Sequence, residues 1–230
     1  MSTLMSGTGL FITGTDTGVG KTVVGCAILR ALRARGVNVI PRKPVESGCR
    51  EEKGGMWPED GARLMEAAGG GSLEQITPWR FAHALAPDRA ARLARTRIML
   101  DALESACQPT PGEAGFRLVE GAGGFLSPLA EDGLNADLAV RLGLPVLLVA
   151  PDRLGVLNHI LLTAEAIKRR QLHLAGVVLN DCAGPGPEGM DNRQDLERRL
   201  QTPIWSFAAV EDGELPSDLD GLADWVRAIL

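Results

Sequence analysis

The stretch Gly14-Thr15-Asp16-Thr17-Gly18-Val19-Gly20-Lys21-Thr22 limits what this chain can fold into more than any other, because an apolar run leads into it and a helical pattern leads out. Leu10-Phe11-Ile12 precedes it, and Val23, Val24, Ala27, Ile28, Ala31 and Leu32 follow at helical spacing up to Ala34. Glycines between a strand and a helix let successive backbone N–H groups turn inward around an anion, and the helix start adds its own unpaired amides. In that setting Lys21 can reach the β- and γ-phosphates of a nucleotide, and the Thr22 hydroxyl can ligate Mg²⁺. Gly18, Val19, Gly20 and Val23 complete the backbone cradle. The common phosphate loop places four residues between its first glycine and the Gly-Lys pair; here five separate Gly14 from Gly20, which marks a variant form.

Around that loop the chain alternates strand and helix. Gly36 stops the first helix, and Val37 to Ile40 reads as a second strand, parallel to the first through a right-handed crossover. Glu51 to Pro58 is charged and glycine-rich and reads as a mobile loop. Glu59-Asp60 then opens a helix through Ala62, Leu64, Met65 and Ala68, ended by Gly69-Gly70-Gly71. Residues 72–110 form an irregular stretch with one or two helices, in which Arg89, Arg92, Arg95 and Arg97 make a solvated face. Phe116 to Glu120, Pro145 to Ala150, Leu174 to Asn180 and Ile204 to Phe207 read as further strands. Helices are expected over Ala136 to Leu142, Val156 to Arg170, a charged segment ending at Leu200, and Leu222 to Leu230. The alternation predicts one α/β domain over residues 1–230, a doubly wound, mostly parallel sheet with helices on both faces.

Composition narrows the partners. Of 230 residues 45% are hydrophobic, yet no apolar run is long enough to cross a bilayer, and Met1 to Gly7 has no signal-peptide pattern. A net charge of −5 offers no general attraction to nucleic acid or to an anionic membrane, so a bound polyanion must be held by local groups. Cys26, Cys49, Cys107 and Cys182 are scattered without metal-ligand spacing, as are His83, His159 and His173; free thiols in a reducing cytoplasm are the expectation.

Three further segments carry chemistry. Pro41-Arg42-Lys43-Pro44-Val45-Glu46-Ser47-Gly48 follows the second strand, at the sheet edge where open α/β folds bind ligands, and makes Lys43 and Ser47 candidates. Phe116-Arg117-Leu118-Val119-Glu120-Gly121-Ala122-Gly123-Gly124 ends an apolar strand in a carboxylate and a glycine-rich turn, which would set Glu120 opposite the phosphate loop. Thr22, Asp60 and Glu120 together supply the oxygen ligands that Mg²⁺ prefers. Asn180-Asp181 ends a strand at the same edge. These residues outline a Mg·ATP site without naming the acceptor.

Taken together, Gly14 to Thr22, Lys43-Pro44-Val45-Glu46-Ser47-Gly48, Glu120-Gly121-Ala122-Gly123-Gly124, Leu154-Gly155 with Asn158-His159, and Asn180-Asp181 resemble the dethiobiotin synthetase family within the P-loop NTPases. The resemblance runs in order from about residue 10 to about residue 182. It implies an ATP- and Mg²⁺-dependent ligase of biotin synthesis, closing the ureido ring of dethiobiotin from 7,8-diaminononanoate and CO₂ through a carbamate and a carbamic-phosphoric anhydride. Carried onto this chain, it gives Lys21 and Lys43 catalytic roles and lets Thr17, Ser47 and Asn158 bind substrate. Gly18 to Val23, Asp60, Glu120, Gly121, Ala122, Gly123, Asn180 and Asp181 would bind ATP, with Asn180 reading adenine. It also implies a cytoplasmic homodimer in which the segment from Leu154 to Asn158 meets the partner's substrate.

Other readings are weaker on the residues. A partition-type ATPase switch would carry a signature lysine early in the loop, where Thr15, Asp16 and Thr17 stand; a GTPase would carry Asn-Lys-x-Asp, and Asn180-Asp181-Cys182 lacks the lysine. A cobyrinate-type amidating enzyme would need a glutaminase domain for which 230 residues leave no room.

Overall fold

The computed structural model describes residues 9–182, 184 and 186–207. Along them run β1 (Gly9–Gly14), α1 (Lys21–Ala34), β2 (Val39–Arg42), β3 (Val45–Ser47), β4 (Arg50–Glu52), β5 (Gly55–Trp57), α2 (Glu59–Ala67), α3 (Leu73–Ile76), β6 (Trp79–Phe81), α4 (Pro87–Leu93) and α5 (Leu100–Ala106). There follow β7 (Phe116–Gly124), β8 (Pro128–Ala130), β9 (Gly133–Leu134), α6 (Asn135–Leu142), β10 (Val146–Pro151), α7 (Val156–Arg169), β11 (Leu174–Asn180), α8 (Asn192–Glu197) and β12 (Ile204–Phe207). Met1 to Gly7 and the expected closing helix Leu222 to Leu230 lie outside the described residues.

Six strands form one sheet in the order β12-β11-β10-β1-β7-β2, every pair parallel. Because a strand alternates its side chains, β1 buries both faces: Leu10 and Ile12 join the helices α1 and α2 in one core, while Phe11 faces a second core with α4, α5 and α6. Residues of β10, β11 and β12 pack with α7 and α8 in a third. Fully buried side chains such as Ile28, Leu29 and Leu118 each contribute about 1.5–3 kcal/mol by leaving water. Among the described residues no helix is long and apolar enough to cross a membrane.

The topology sets the site. β1 lies between β7 and β10, and the chain leaves it toward β2 on one side before returning to build β10, β11 and β12 on the other. Connections diverging to opposite sides open a crevice at the carboxyl end of β1, where the phosphate loop begins.

Several elements depart from the sequence reading. Glu51 to Pro58 is ordered, with β4 and β5 pairing antiparallel around Lys53-Gly54 and Trp57 opposite Arg50. The irregular stretch contains β6, which pairs in parallel with β3. β7 continues through Gly124 instead of ending at Glu120, since Gly14 still pairs with Gly124 after a register shift beside β1. The second strand also starts later, at Val39, because Val37 N–H closes the end of α1 on the Leu32 carbonyl, with Gly36 at φ +77°. The four cysteines are free thiols: Cys26, Cys49 and Cys107 are buried and Cys182 is exposed.

Candidate active site

The phosphate loop is shaped by two close approaches. Gly20 stands at φ +93° as the residue before α1, and a Cβ there would lie 2.1 Å from the Asn180 amide nitrogen. That amide donates to the Val19 carbonyl at 3.0 Å, so the end of β11 fastens the loop from behind. Gly20 has no side chain to cap α1, and the first turn carries no acidic residue, which leaves the amides at its start for an anion. Asp16 is exposed; its carboxylate accepts from Thr17 N–H at 2.7 Å and its carbonyl accepts from Lys21 Nζ at 3.0 Å.

Opposite the loop, Glu120 rises from β7 beside β1. Its Oε1 accepts from the Thr22 hydroxyl at 2.8 Å and from Lys43 Nζ at 2.5 Å, and Lys43 also meets Asp60 Oδ2 at 2.8 Å. Lys43 and Glu120 are both almost fully buried. Burial alone would depress the Lys43 ammonium, but the charges of Glu120, Asp60 and Glu46 more than offset it and hold its pKa above the usual value. Burial likewise would raise the Asp60 carboxyl, and the adjoining Lys43 charge, with hydrogen bonds from Lys43 and Thr22, brings it below the usual carboxylate range. Lys21 goes the other way: desolvation lowers its pKa, assisted by the Lys43 charge and opposed by Glu120.

These groups line a cavity of about 240 Å³. Of the residues singled out from the sequence, its wall contains Thr17, Gly18, Gly20, Lys21, Thr22, Val23, Lys43, Ser47, Asp60, Glu120, Ala122 and Gly123. Val19 and Gly121 are buried behind it. Asn180 ends β11 against the loop, with Asp181 next in the chain, its N–H bonded to the Phe207 carbonyl. Asn158 lies on the exposed side of α7, outside the cavity wall.

Three residues of the site escaped the sequence reading. Glu46 and Arg63 line the cavity as well. Arg63 follows Asp60 by one turn of α2, a spacing that could have been read from the helix pattern. Asn135, fully buried at the start of α6, clamps the glycine-rich end of β7: its Oδ1 accepts from Ala122 N–H at 3.1 Å, and its amide nitrogen donates to the Ala122 and Gly124 carbonyls, the latter at 3.1 Å. A Cβ on Gly121 would lie 2.7 Å from that Oδ1, so glycine is required for the clamp to close. Nothing local in the sequence signals it.

The donor set suits Mg²⁺. Glu120 Oε2 is buried with no hydrogen-bond partner among the described residues, and the Thr22 hydroxyl and Asp60 carboxylate share the same cavity wall. No cluster of three or more His, Cys, Asp or Glu side chains with metal-binding geometry occurs among the described residues. A site completed by substrate phosphates and water needs only one or two carboxylates, which is the usual habit of Mg²⁺.

A protein-family profile described as an AAA domain matches residues 8–212. A protein of Anaeromyxobacter dehalogenans (strain 2CP-C) named ATP-dependent dethiobiotin synthetase BioD is 48% identical over 181 residues, covering 78% of each chain. One of the same name from Nitrosospira multiformis is 41% identical over 223 residues, 96% of each chain, and one from Cellvibrio japonicus is 39% identical over 227 residues, 96% of this chain and all of that one. None of these matches favours the partition-switch reading. With a phosphate loop at the carboxyl end of a parallel strand, a lysine held between two carboxylates, and such identity over most of its length, the chain belongs to the ATP-dependent dethiobiotin synthetase family.

Proposed function

We propose that this chain closes the ureido ring of dethiobiotin from 7,8-diaminononanoate, CO₂ and ATP, releasing ADP and phosphate. The observation that carries the reading is the cavity itself, which joins the phosphate loop to the Lys43–Ser47 segment in one wall. Two anions, a carbamate and a triphosphate, must meet there, and Lys21, Lys43 and the amides at the start of α1 offer the positive potential they need.

In the first step an amine of the substrate attacks CO₂ and loses a proton, giving a carbamate. Thr17 on the loop and Ser47 on β3, both in the cavity wall, would orient it. A carbamate oxygen then attacks the γ-phosphoryl group, ADP departs, and a carbamic-phosphoric anhydride results. Lys43 serves as a fixed charge in this step, since its surroundings keep it protonated. The second amine finally attacks the anhydride carbonyl and loses a proton, phosphate leaves with the carbonyl–oxygen bond broken, and the ring closes. Thr22, Asp60 and Glu120 would hold Mg²⁺, which when bound neutralises phosphate charge during the transfer. Asn180 donates one N–H of its side-chain amide to Val19, and its second N–H with its Oδ1 would supply the paired donor and acceptor that suit an adenine edge.

A homodimer fits the same reading. Asn158 lies outside this cavity, so a role in binding substrate would be exercised in the partner's site.

The test is phosphate release from Mg·ATP and bicarbonate with and without 7,8-diaminononanoate, with product followed by mass. Phosphate and dethiobiotin formed together, only when the diamine is present, support the reading. Hydrolysis indifferent to the diamine, with no ring-closed product, refutes it.

A further inference from the structure

The cavity wall contains one carboxylate that the reaction does not use. Glu46 sits on β3, whose backbone is fixed by parallel pairing with β6, and its side chain is 6% exposed. An extra negative charge beside a triphosphate site opposes binding unless it is engaged elsewhere. Both of its oxygens are engaged: Oε1 accepts from Asp60 N–H at 3.1 Å and Oε2 from Gly61 N–H at 3.0 Å. Those amides open α2, which has Pro58 before it and no cap from a neighbouring side chain. The carboxylate therefore lies on the positive end of a helix dipole and supplies, from fourteen residues away, what a local cap supplies in other helices.

The consequence concerns Asp60. Its backbone is gripped by Glu46 while its side chain points to Lys43 at 2.8 Å in the cavity. Asp60 sits in the first turn of a helix whose start is tied to a strand, so its carboxylate cannot rotate away with a fraying end. Gly61 adds to the fit, because a Cβ there would fall 2.2 Å from the Thr77 hydroxyl; the start of α2 is pressed against its support with no side chain between.

We propose that Glu46 is a positioning residue that holds the Asp60 carboxylate at the Mg·nucleotide site. This rests on the reading of Asp60 as a Mg²⁺ ligand. Outer partners that orient metal-binding carboxylates carry about 10–100-fold in affinity when removed.

The experiment compares the unmodified chain with Glu46→Ala, Asp60→Ala and the double variant, titrating Mg²⁺ against a fixed concentration of a fluorescent, non-hydrolysable ATP analogue. Binding is the readout, and thermal melting records folding in parallel. Glu46→Ala is expected to raise the half-saturating Mg²⁺ concentration about tenfold, Asp60→Ala at least as much, and the double variant no more than Asp60→Ala. A cap that served stability alone would lower the melting temperature of Glu46→Ala without moving the Mg²⁺ titration, which overturns the proposal. So does a Glu46→Ala shift that persists at full size in the Asp60→Ala background. An unmoved titration in Asp60→Ala itself removes Asp60 from the metal site and the proposal with it, and that result is distinct from the first two. Glu46→Gln keeps the side chain's volume and one acceptor oxygen; it gives the same comparison if Glu46→Ala does not fold, with a smaller expected shift.

Discussion

Lys43 lies between Glu120 and Asp60, and its removal acts on both sides at once. Two carboxylates would then face each other and the triphosphate without the cation that lies between them. Lys43→Ala is expected to keep nucleotide binding, which the loop amides and Lys21 supply, and to lower the rate of ring closure about 10²–10³-fold, the usual loss for one electrostatic partner of a transition state. Near-normal turnover would remove its catalytic assignment. Glu120→Gln removes the charge of a carboxylate whose Oε2 has no hydrogen-bond partner among the described residues, and should weaken the Mg²⁺ dependence of ATP binding and slow phosphoryl transfer. An unchanged Mg²⁺ titration would count against its role. At this scale the sequence was legible where chemistry is written locally. Lys21, Thr22 and Lys43 sit in short motifs whose spacing carries their meaning. Glu46 and Asn135 were not legible, because each acquires its role from tertiary neighbours, such as the Asp60 amide or the Ala122 carbonyl, that no local pattern announces.

The elements were read best where both faces are buried. β10 and β11 are continuous apolar runs, and burial on two sides leaves no alternation to confuse with a helix. β3, β4, β5 and β6 were missed for the opposite reason: each is three residues long, and pairing, not periodicity, makes it a strand. The end of β7 was misplaced because its glycines suggest a turn, whereas they let Gly124 keep its place beside Gly14 and let Asn135 approach Gly121. The loop before α1 works by the same rule. Gly20→Ala introduces a Cβ at φ +93° against the Asn180 amide, so the loop must open or lose its bond to Asn180. Strain in such a conformation is about 1–3 kcal/mol, and with the cradle displaced ATP binding should fall at least tenfold while the far-ultraviolet spectrum is retained. Calorimetric titration with Mg·ATP checks this, and affinity equal to that of the unmodified chain would show that the Gly20 geometry is dispensable.

At the scale of the whole molecule, parallel pairing and alternation made the doubly wound sheet legible, but the strand order was not, since nothing in a single strand says that β7 will insert between β1 and β2. That insertion sets Glu120 across from Thr22, so the site depends on a long-range choice. A still larger choice concerns a second copy of the chain. Leu154 is 72% exposed just before α7 and Leu162 is 57% exposed on it, one turn beyond the exposed Asn158. A homodimer that carries Asn158 into the partner's site would cover Leu162. Leu162→Glu changes an exposed position, so the folded monomer should lose no more than about 0.5 kcal/mol of stability. A charge buried in an apolar interface would nonetheless break the pair. The expected result is a dimer for the unmodified chain and a monomer for the variant by light scattering. The monomer should bind Mg·ATP normally, because its cavity is built from one chain, and close the ring poorly, because the partner's Asn158 is gone. A variant that is monomeric and fully active would remove Asn158 from the substrate site, and one that remains dimeric would place the interface elsewhere.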